Sequence, residues 1–270
     1  MYKFDYESKV WGDADVSLSP FCLTAPKLKF ALSNIQKLKK NSKVLEVGCG
    51  AGGIAKAIKK YRPDLDIYAI DISKKQIQIA KKNNNGANFL LGSAYKIPFK
   101  NNFFDGVVMF DVLEHLDDPN LCVKEIKRVL KHKGLFSLFT PIEGNILSVH
   151  GFIYNLFNFN PKEKYGGHVQ NFNYSDVKNI LERNKLNVVN KNYYGHYFNQ
   201  LVDYSYFLLL SINGKNTSGS VESMLHNNGG FKIFIIKIIK NLIALISYLE
   251  SEILFFFPAS GVNILSISEK

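Results

Sequence analysis

An α/β protein built on a doubly wound parallel sheet is the fold class this sequence predicts, and three observations predict it. Short apolar runs recur through the first half of the chain, as in KVLEV and DIYAI, without the polar alternation of a half-exposed strand. Segments with apolar residues at helical spacing stand between those runs. A glycine-rich turn, GCGAGG, follows the first run directly. Strands that read as continuous apolar runs and alternate with helices belong to parallel sheets covered on both faces. A chain that is 46% hydrophobic and 21% charged can fill such a core, which excludes a disordered polypeptide.

The elements follow in order. Residues 26–39 form a first helix, and KVLEV (43–47) a buried strand that enters the glycine turn. A helix runs from that turn to about residue 60, then DIYAI (66–70) forms a second strand ending at Asp71. Residues 74–83 are helical, ANFLLG (87–92) is a third strand and FFDGVVMF (103–110) a fourth. Residues 119–131 return to helical spacing, and GLFSLFT (134–140) is a fifth strand stopped by Pro141. Residues 141–173, rich in Gly, Asn and aromatics, read as irregular. A helix over 174–184 has Asn173 or Ser175 as its cap. LNVVNKNYY (186–194) and GVNILSISEK (261–270) are the last two strands, with about 65 residues between them.

Charge and cysteine usage bound the partners. Net charge is +11, which favours anionic partners, although compositional drift toward lysine explains the excess equally well. Only Arg62, Arg128 and Arg183 are arginines, too few for bidentate base reading, so no DNA partner is expected. No RNA-binding module is recognisable either. Cys22, Cys49 and Cys122 are far apart and form no disulfide framework, which indicates a reducing compartment. The first 18 residues lack the apolar segment of a secretory signal.

The turn VLEVGCGAGG (44–53) identifies the cofactor class. Gly48, Gly50 and Gly52 give GxGxG, and Gly48, Gly50 and Gly53 give GxGxxG. Either pattern lets backbone and a helix N-terminus approach an anionic group: the pyrophosphate of NAD or the carboxylate of S-adenosylmethionine (SAM). Glu46 separates the two. A carboxylate there repels pyrophosphate and suits the ammonium and sulfonium of SAM. Asp71, 21 residues after Gly50, is placed to accept ribose hydroxyls. Beyond it come GSA (92–94), IPF (97–99) and FFDGVVMFDVLEHLDDP (103–119).

With these residues in view, the sequence resembles the class I SAM-dependent methyltransferases, in particular the broad group with ubiquinone, menaquinone, small-molecule, lipid and sugar methyltransferases. The likeness covers about residues 40–140 well and 170–195 less closely. It implies a Rossmann-like sheet of seven strands whose last strand is antiparallel beside the fifth. It implies that SAM is the cofactor, that Gly48, Cys49, Gly50 and Gly52 border its methionine part, and that Glu46 lies beneath it. Asp71 would hold the ribose, Ile72 would pack on the adenine, Ser93 and Ala94 would line its edge, and Phe110 would follow the fourth strand. Ser93 stands where the family often has Asp. The DPPY-like tetrapeptide of adenine-N6 and glutamine methyltransferases is replaced by FDVL (110–113).

Methyl transfer to a hydroxyl requires a base. His115, just after the fourth strand, and His168, in YGGHVQNF (165–172), are the candidates; His150 and His196 read as structural histidines. Asp111, Glu114, Asp117 and Asp118 cap the next helix and solvate the loop in this reading. No histidine pair converges with them by spacing, so no metal is expected.

The domain organisation is a methyltransferase domain over 1–195 and 261–270, interrupted by a largely helical apolar insertion at 196–260. The insertion holds YSYFLLLSI (204–212), the polar NGKNTSGS (213–220) and FKIFIIKIIKNLIALISYLESEILFFFP (231–258). Lysines and glutamates interrupt the last segment too often for a membrane span. On a helix, Lys237, Lys240, Asn241, Ser247, Ser251 and Glu252 gather on one side. Ile235, Ile236, Ile238, Ile239, Leu242, Ile243, Leu245, Ile246 and Leu249 fill the other, and Phe255, Phe256 and Phe257 follow as anchors. Such a helix covers its own sheet domain, pairs with a second subunit in a homodimer, or holds a lipid-like acceptor at an anionic membrane surface.

The main expectation is O-methylation of a lipid-linked, quinone-like or glycan acceptor by a cytoplasmic enzyme, peripheral on the inner face of the membrane. A methyltransferase for a small polar metabolite and a non-catalytic SAM-binding subunit are the alternatives.

Overall fold

The computed structural model describes residues 7, 10–12, 15–82, 86–157, 166–202 and 231–270, apart from the side chains of 231–236. Its centre is a seven-stranded sheet. β1 (Lys43–Val47) pairs in parallel with β2 (Asp66–Asp71) on one side and β4 (Phe104–Phe110) on the other. β3 (Asn88–Leu91) extends the sheet beyond β2, and β5 (Leu130–Pro141) extends it beyond β4. β7 (Gly261–Ser268) runs antiparallel between β5 and the edge strand β6 (Leu186–Tyr194). The resulting order is β3-β2-β1-β4-β5-β7-β6, with the last strand antiparallel beside the fifth as the family resemblance implies.

Period-two alternation divides the strands between two cores. Leu45, Val47, Ile70, Val107, Met109, Phe136 and Leu138 bury on one face. Val44, Ile67, Ala69, Val108, Phe110 and Phe139 bury on the other, under α1 (Ala25–Ile35) and α2 (Gly53–Tyr61). With both faces buried, the strands need no polar side, which is why they read as unbroken apolar runs. The chain leaves β1 and β4 in opposite directions across the sheet, so a crevice opens beyond their carboxyl ends.

Three elements differ from the sequence expectation. α1 stops at Ile35 rather than residue 39. β5 starts at Leu130 rather than 134, because α4 (Pro119–Val129) passes straight into it with Lys133 at φ 60°. The stretch expected to be irregular contains α5 (Val149–Phe157). The Ser148 hydroxyl accepts from Gly151 N there, and glycine early in the helix masked it in the sequence. α3 (Lys74–Lys82) and α6 (Tyr174–Arg183) lie where expected, the latter with an Asn173–Asp176 capping box.

The insertion helix is α7 (Phe231–Leu254). Ala244, Ser247 and Ser251 are buried against the domain, so part of the polar side faces inward. Ile239, Leu242, Leu249 and Ile253 are at least half exposed, and Phe255–Phe257 continue the exposed surface. The apolar face therefore does not cover the sheet domain. Small side chains let the helix lie close to its neighbours, and the bulky ones are left outside. Both acidic residues of the segment are engaged: Glu252 pairs with Lys29 at 2.6 Å, and Glu250 accepts from Phe198 N at 3.0 Å. Among the described residues no helix is long and apolar enough to cross a membrane. YSYFLLLSI and NGKNTSGS lie outside the described residues.

Candidate active site

The glycine turn joins β1 to α2 at the sheet crevice. Gly48, Gly50 and Gly52 all have positive φ, at 76°, 51° and 85°. Close approach adds a second requirement: a Cβ on Gly48 would lie 2.2 Å from Val112 Cγ2, and one on Gly50 would lie 2.4 Å from the Trp11 carbonyl oxygen. Only glycine meets both conditions. Gly48 thus brings the turn against the loop after β4, two residues from Glu114.

Glu46 points into this region from β1. It is 3% exposed, and its Oε2 has no hydrogen-bond partner among the described residues. Burial pushes its pKa up to about 8, nearby Asp71 adds to the rise, and the Ala55 N–H and Lys56 oppose it. An orphaned, buried carboxylate is costly unless something cationic meets it. The ammonium of SAM is such a group, so this residue fits the cofactor the turn implies. Asp71 ends β2 and accepts from Gly50 N (2.8 Å) and Ser73 N (2.9 Å). Those bonds fix the carboxylate and leave it lone pairs for ribose hydroxyls. Burial raises its pKa against the pull of the two N–H donors.

One expectation requires correction. The N–H groups that lead into α2 are not all open to an anion, because Ala51 N in the turn donates to Trp11 O and Gly53 N at the helix start to Gly12 O, each at 2.8 Å. The N-terminal segment lies over the turn, and Glu7 accepts from Lys74 N at the start of α3 (2.9 Å). Only a tertiary contact from some 40 residues upstream reveals this, so local sequence could not.

The other predicted cofactor residues take distinct positions. Ile72 is 64% exposed immediately after Asp71, as an adenine-packing residue would be. Ser93 and Ala94 are half-buried after β3, where Ser93 Oγ accepts from Tyr95 N. Phe110 is buried at the end of β4. Cys49 is buried, and burial together with Glu46 pushes its thiol pKa far up, so it packs and does not react.

Across the crevice, beyond β4 and β5, the structure brings together residues distant in sequence. His115 Nδ1 is 2.9 Å from Gly167 O, and His168 Nδ1 is 3.1 Å from Glu143 Oε2. The two rings meet edge to face, with centroids 4.9 Å apart. Glu114 is buried beside them, with Oε1 3.8 Å from His115 Nε2 and Oε2 accepting from the Thr140 hydroxyl at 3.1 Å. Val169 N and Gln170 N both donate to Glu114 O, which fastens the loop carrying His168 to the loop carrying His115. Burial and the neighbouring His168 push His115 down to about 4, so its imidazole is neutral at physiological pH. Burial, then Asp111, raises Glu114 well above the usual carboxylate range.

This cluster overturns two expectations. Glu114 does not solvate the loop; Asp118 alone caps α4, accepting from Leu121 N, and Asp111 pairs with Lys27 at 2.7 Å. The histidines do converge with a carboxylate, since Glu114, His115 and His168 offer ligand atoms all within 4.8 Å of one another. The no-metal expectation thereby loses its premise. Glu143, in TPIEGN, is not among the expected site residues; its signal is a lone acid two residues after the β5-terminating proline. His196 is held to Phe257 O at 3.1 Å and His150 is buried, which suits structural roles.

Comparison with known proteins is consistent with this geometry. Residues 45–138 match the family model described as a methyltransferase domain. Demethylmenaquinone methyltransferase of Thermotoga maritima is 30% identical over 115 residues, 43% of this chain and 50% of that protein. Ubiquinone biosynthesis O-methyltransferase of Pelagibacter ubique is 27% identical over 152 residues, 51% of this chain and 62% of its own length. The chain thus spans about half the length of the curated relatives it matches. The solved YcgJ protein of Bacillus subtilis shares the fold with a TM-score of 0.57 at 18% identity, over 91% of this chain and 99% of its own. The matched segment holds most of β1, the glycine turn, Glu46, Asp71 and both β4-loop residues Glu114 and His115, so over these residues the chain carries the sequence of a methyltransferase domain and is similar to the SAM-dependent methyltransferases.

Proposed function

We propose that the protein transfers the methyl group of SAM to a hydroxyl of a lipid-linked, quinone-like or glycan acceptor at a membrane surface. The observation that carries this reading is the pairing, across Gly48 and Val112, of an orphaned carboxylate at the glycine turn with a histidine–carboxylate cluster beyond β4. The first supports cofactor binding through Glu46, Gly48, Gly50 and Asp71. The second supports activation of the acceptor.

SAM held at the glycine turn by Glu46 and Asp71 would supply an electrophilic methyl carbon, with its sulfur as the leaving group that keeps the electron pair of the broken S–C bond. The chain's contribution is orientation, exclusion of water and removal of the hydroxyl proton. Among the two candidate histidines, His168 suits proton uptake better, because Glu143 orients its ring and stabilises the imidazolium that forms. His115 is half-buried, with its pKa lowered to about 4, and serves as a neighbour that positions His168.

A lipid-like acceptor is supported by the outward apolar face of α7, by the demethylmenaquinone in the name of one relative and by the ubiquinone biosynthesis in the name of the other. With Glu250 and Glu252 engaged internally, Lys237 and the net charge of +11 favour an anionic surface. Incubating the protein with methyl-labelled SAM and total cell extract, then separating lipid, RNA, protein and small-molecule fractions, tests the proposal. Label in the lipid fraction is expected. Label confined to water-soluble metabolites would turn the reading to a small-metabolite enzyme with α7 as a dimer interface. SAM binding with no transfer would indicate a non-catalytic subunit.

A further inference from the structure

We propose that Glu114, His115 and His168 bind a divalent transition-metal ion, through Nε2 of each histidine and the Glu114 carboxylate. The geometry carries this in four parts. One ligand atom from each residue already lies within 4.8 Å of the others. Ligands about 2.1 Å from a common ion stand about 3–3.5 Å apart, so side-chain adjustment of about an ångström completes the site. Each histidine has its Nδ1 held by an oxygen, of Gly167 in one case and of Glu143 in the other. Metal-binding histidines carry this kind of support, which fixes the tautomer and aims Nε2 at the ion.

The third part is Glu114 itself. Its side chain is 1% exposed, and Oε1 has no hydrogen-bond partner among the described residues. The nearby cation Lys27 is engaged by Asp111. A buried carboxylate oxygen without a donor is stabilised by a cation beside it. The fourth part is rigidity: the two hydrogen bonds from Val169 N and Gln170 N to Glu114 O, and the one from Gln170 Nε2 to Leu116 O (2.8 Å), hold the two ligand loops together. Two imidazoles with one carboxylate select a borderline first-row ion such as Mn²⁺, Fe²⁺, Co²⁺ or Zn²⁺ over the oxygen-seeking Mg²⁺. Three protein ligands leave coordination positions for acceptor oxygens.

Occupancy of this site stands on the cluster alone; its catalytic role rests on the methyltransferase reading above. In that role the ion would take the acceptor hydroxyl oxygen as a ligand and lower its pKa, the O–H proton leaving to solvent water. His115 and His168 would then act as ligands, and direct proton uptake by His168 would not be needed.

Adding Co²⁺ to chelator-stripped protein, with visible absorption and equilibrium dialysis as readouts, tests the site. One Co²⁺ per chain with a d–d band from nitrogen and oxygen ligands is expected. His115→Ala, His168→Ala and Glu114→Gln should abolish the band, and Glu143→Gln should weaken Co²⁺ binding about 10–100-fold through loss of support to His168. His132→Ala, at an exposed histidine, should change nothing. SAM binding, followed in every variant, reports that the fold is intact. Absence of stoichiometric Co²⁺ binding, or a band that persists in the folded His115→Ala and His168→Ala proteins, overturns the site. Methyl transfer at full rate in excess chelator overturns the catalytic role of the ion and leaves the methyltransferase reading standing. A normal Co²⁺ band with no transfer under any divalent ion does the reverse.

Discussion

The two halves of the sheet are built on opposite plans. In the cofactor half, β1, β2 and the glycine turn hold Glu46 and Asp71 through backbone contacts set by strand register; Glu46 pairs with Ala69, two positions before Asp71. In the half beyond β4 and β5, no local rule sets the proposed acceptor site. His115 meets Gly167 from 52 residues away, and His168 meets Glu143 from 25. One half follows the spacing of a motif, and the other depends on two loops locked together late in the chain. Chemistry common to a family can be written in the first half, and acceptor choice can vary in the second without disturbing it.

That division makes the halves separable by mutation. The largest effect is expected at His168: His168→Ala should lower methyl transfer about 10²–10⁴-fold, whether the residue serves as base or ligand, while SAM affinity stays unchanged. Steady-state transfer alongside SAM titration measures both. A matching loss of SAM affinity would mean that the halves are not independent.

Next in size is Asp71→Ala, which should weaken SAM binding by on the order of 1.5–3 kcal/mol through loss of charge-assisted hydrogen bonds. Because Asp71 also accepts from Gly50 and Ser73, Asp71→Asn belongs beside it in the titration. Unchanged affinity in both variants would remove Asp71 from the cofactor site.

A smaller effect is expected at the outward face of α7. Leu242→Glu or Ile239→Glu should release the protein from anionic vesicles in flotation, with SAM binding intact. Lys237→Ala should weaken vesicle binding by about 1 kcal/mol, an effect that salt removes. Wild-type protein that never floats, but elutes as a dimer that Ile239→Glu dissociates, would assign this face to a second copy of the chain.

The least conspicuous effect is a pH dependence. Glu46 has its folded pKa raised to about 8, so the folded state binds more protons than the unfolded chain between about pH 4.5 and 8. Glu46 therefore withdraws stability as pH rises through that window. Glu46→Gln should remove this trend in thermal unfolding of the SAM-free protein. An unchanged pH profile would show that Glu46 is not buried as described.

Legibility in the sequence followed the same division. The seven strands and the antiparallel β7 beside β5 could be read because they are properties that the family resemblance carries, and the glycine turn and Asp71 could be placed at the ends of β1 and β2 because spacing is local. Glu114 was misjudged, because an acid in LEHLDD looks like a helix-capping residue until Thr140 and the His168 loop close over it. Trp11 and Gly12 could not be connected to α2 without the tertiary fold. On α7 the apolar and polar sides were divided correctly by periodicity, but which side faced the domain was not encoded in amphipathicity. The Ala244–Ser247–Ser251 seam decided it, by permitting the closer approach.

The most direct test of the account is calorimetric titration of SAM into the wild-type protein at pH 7, in two buffers of different ionisation enthalpy. A carboxylate with a pKa of about 8 is mostly protonated at pH 7 and must ionise to meet the SAM ammonium. The account predicts one SAM per chain, release of close to one proton on binding, and loss of that proton release in Glu46→Gln. Binding without proton release would contradict the role given to Glu46, and no binding at all would contradict the cofactor site.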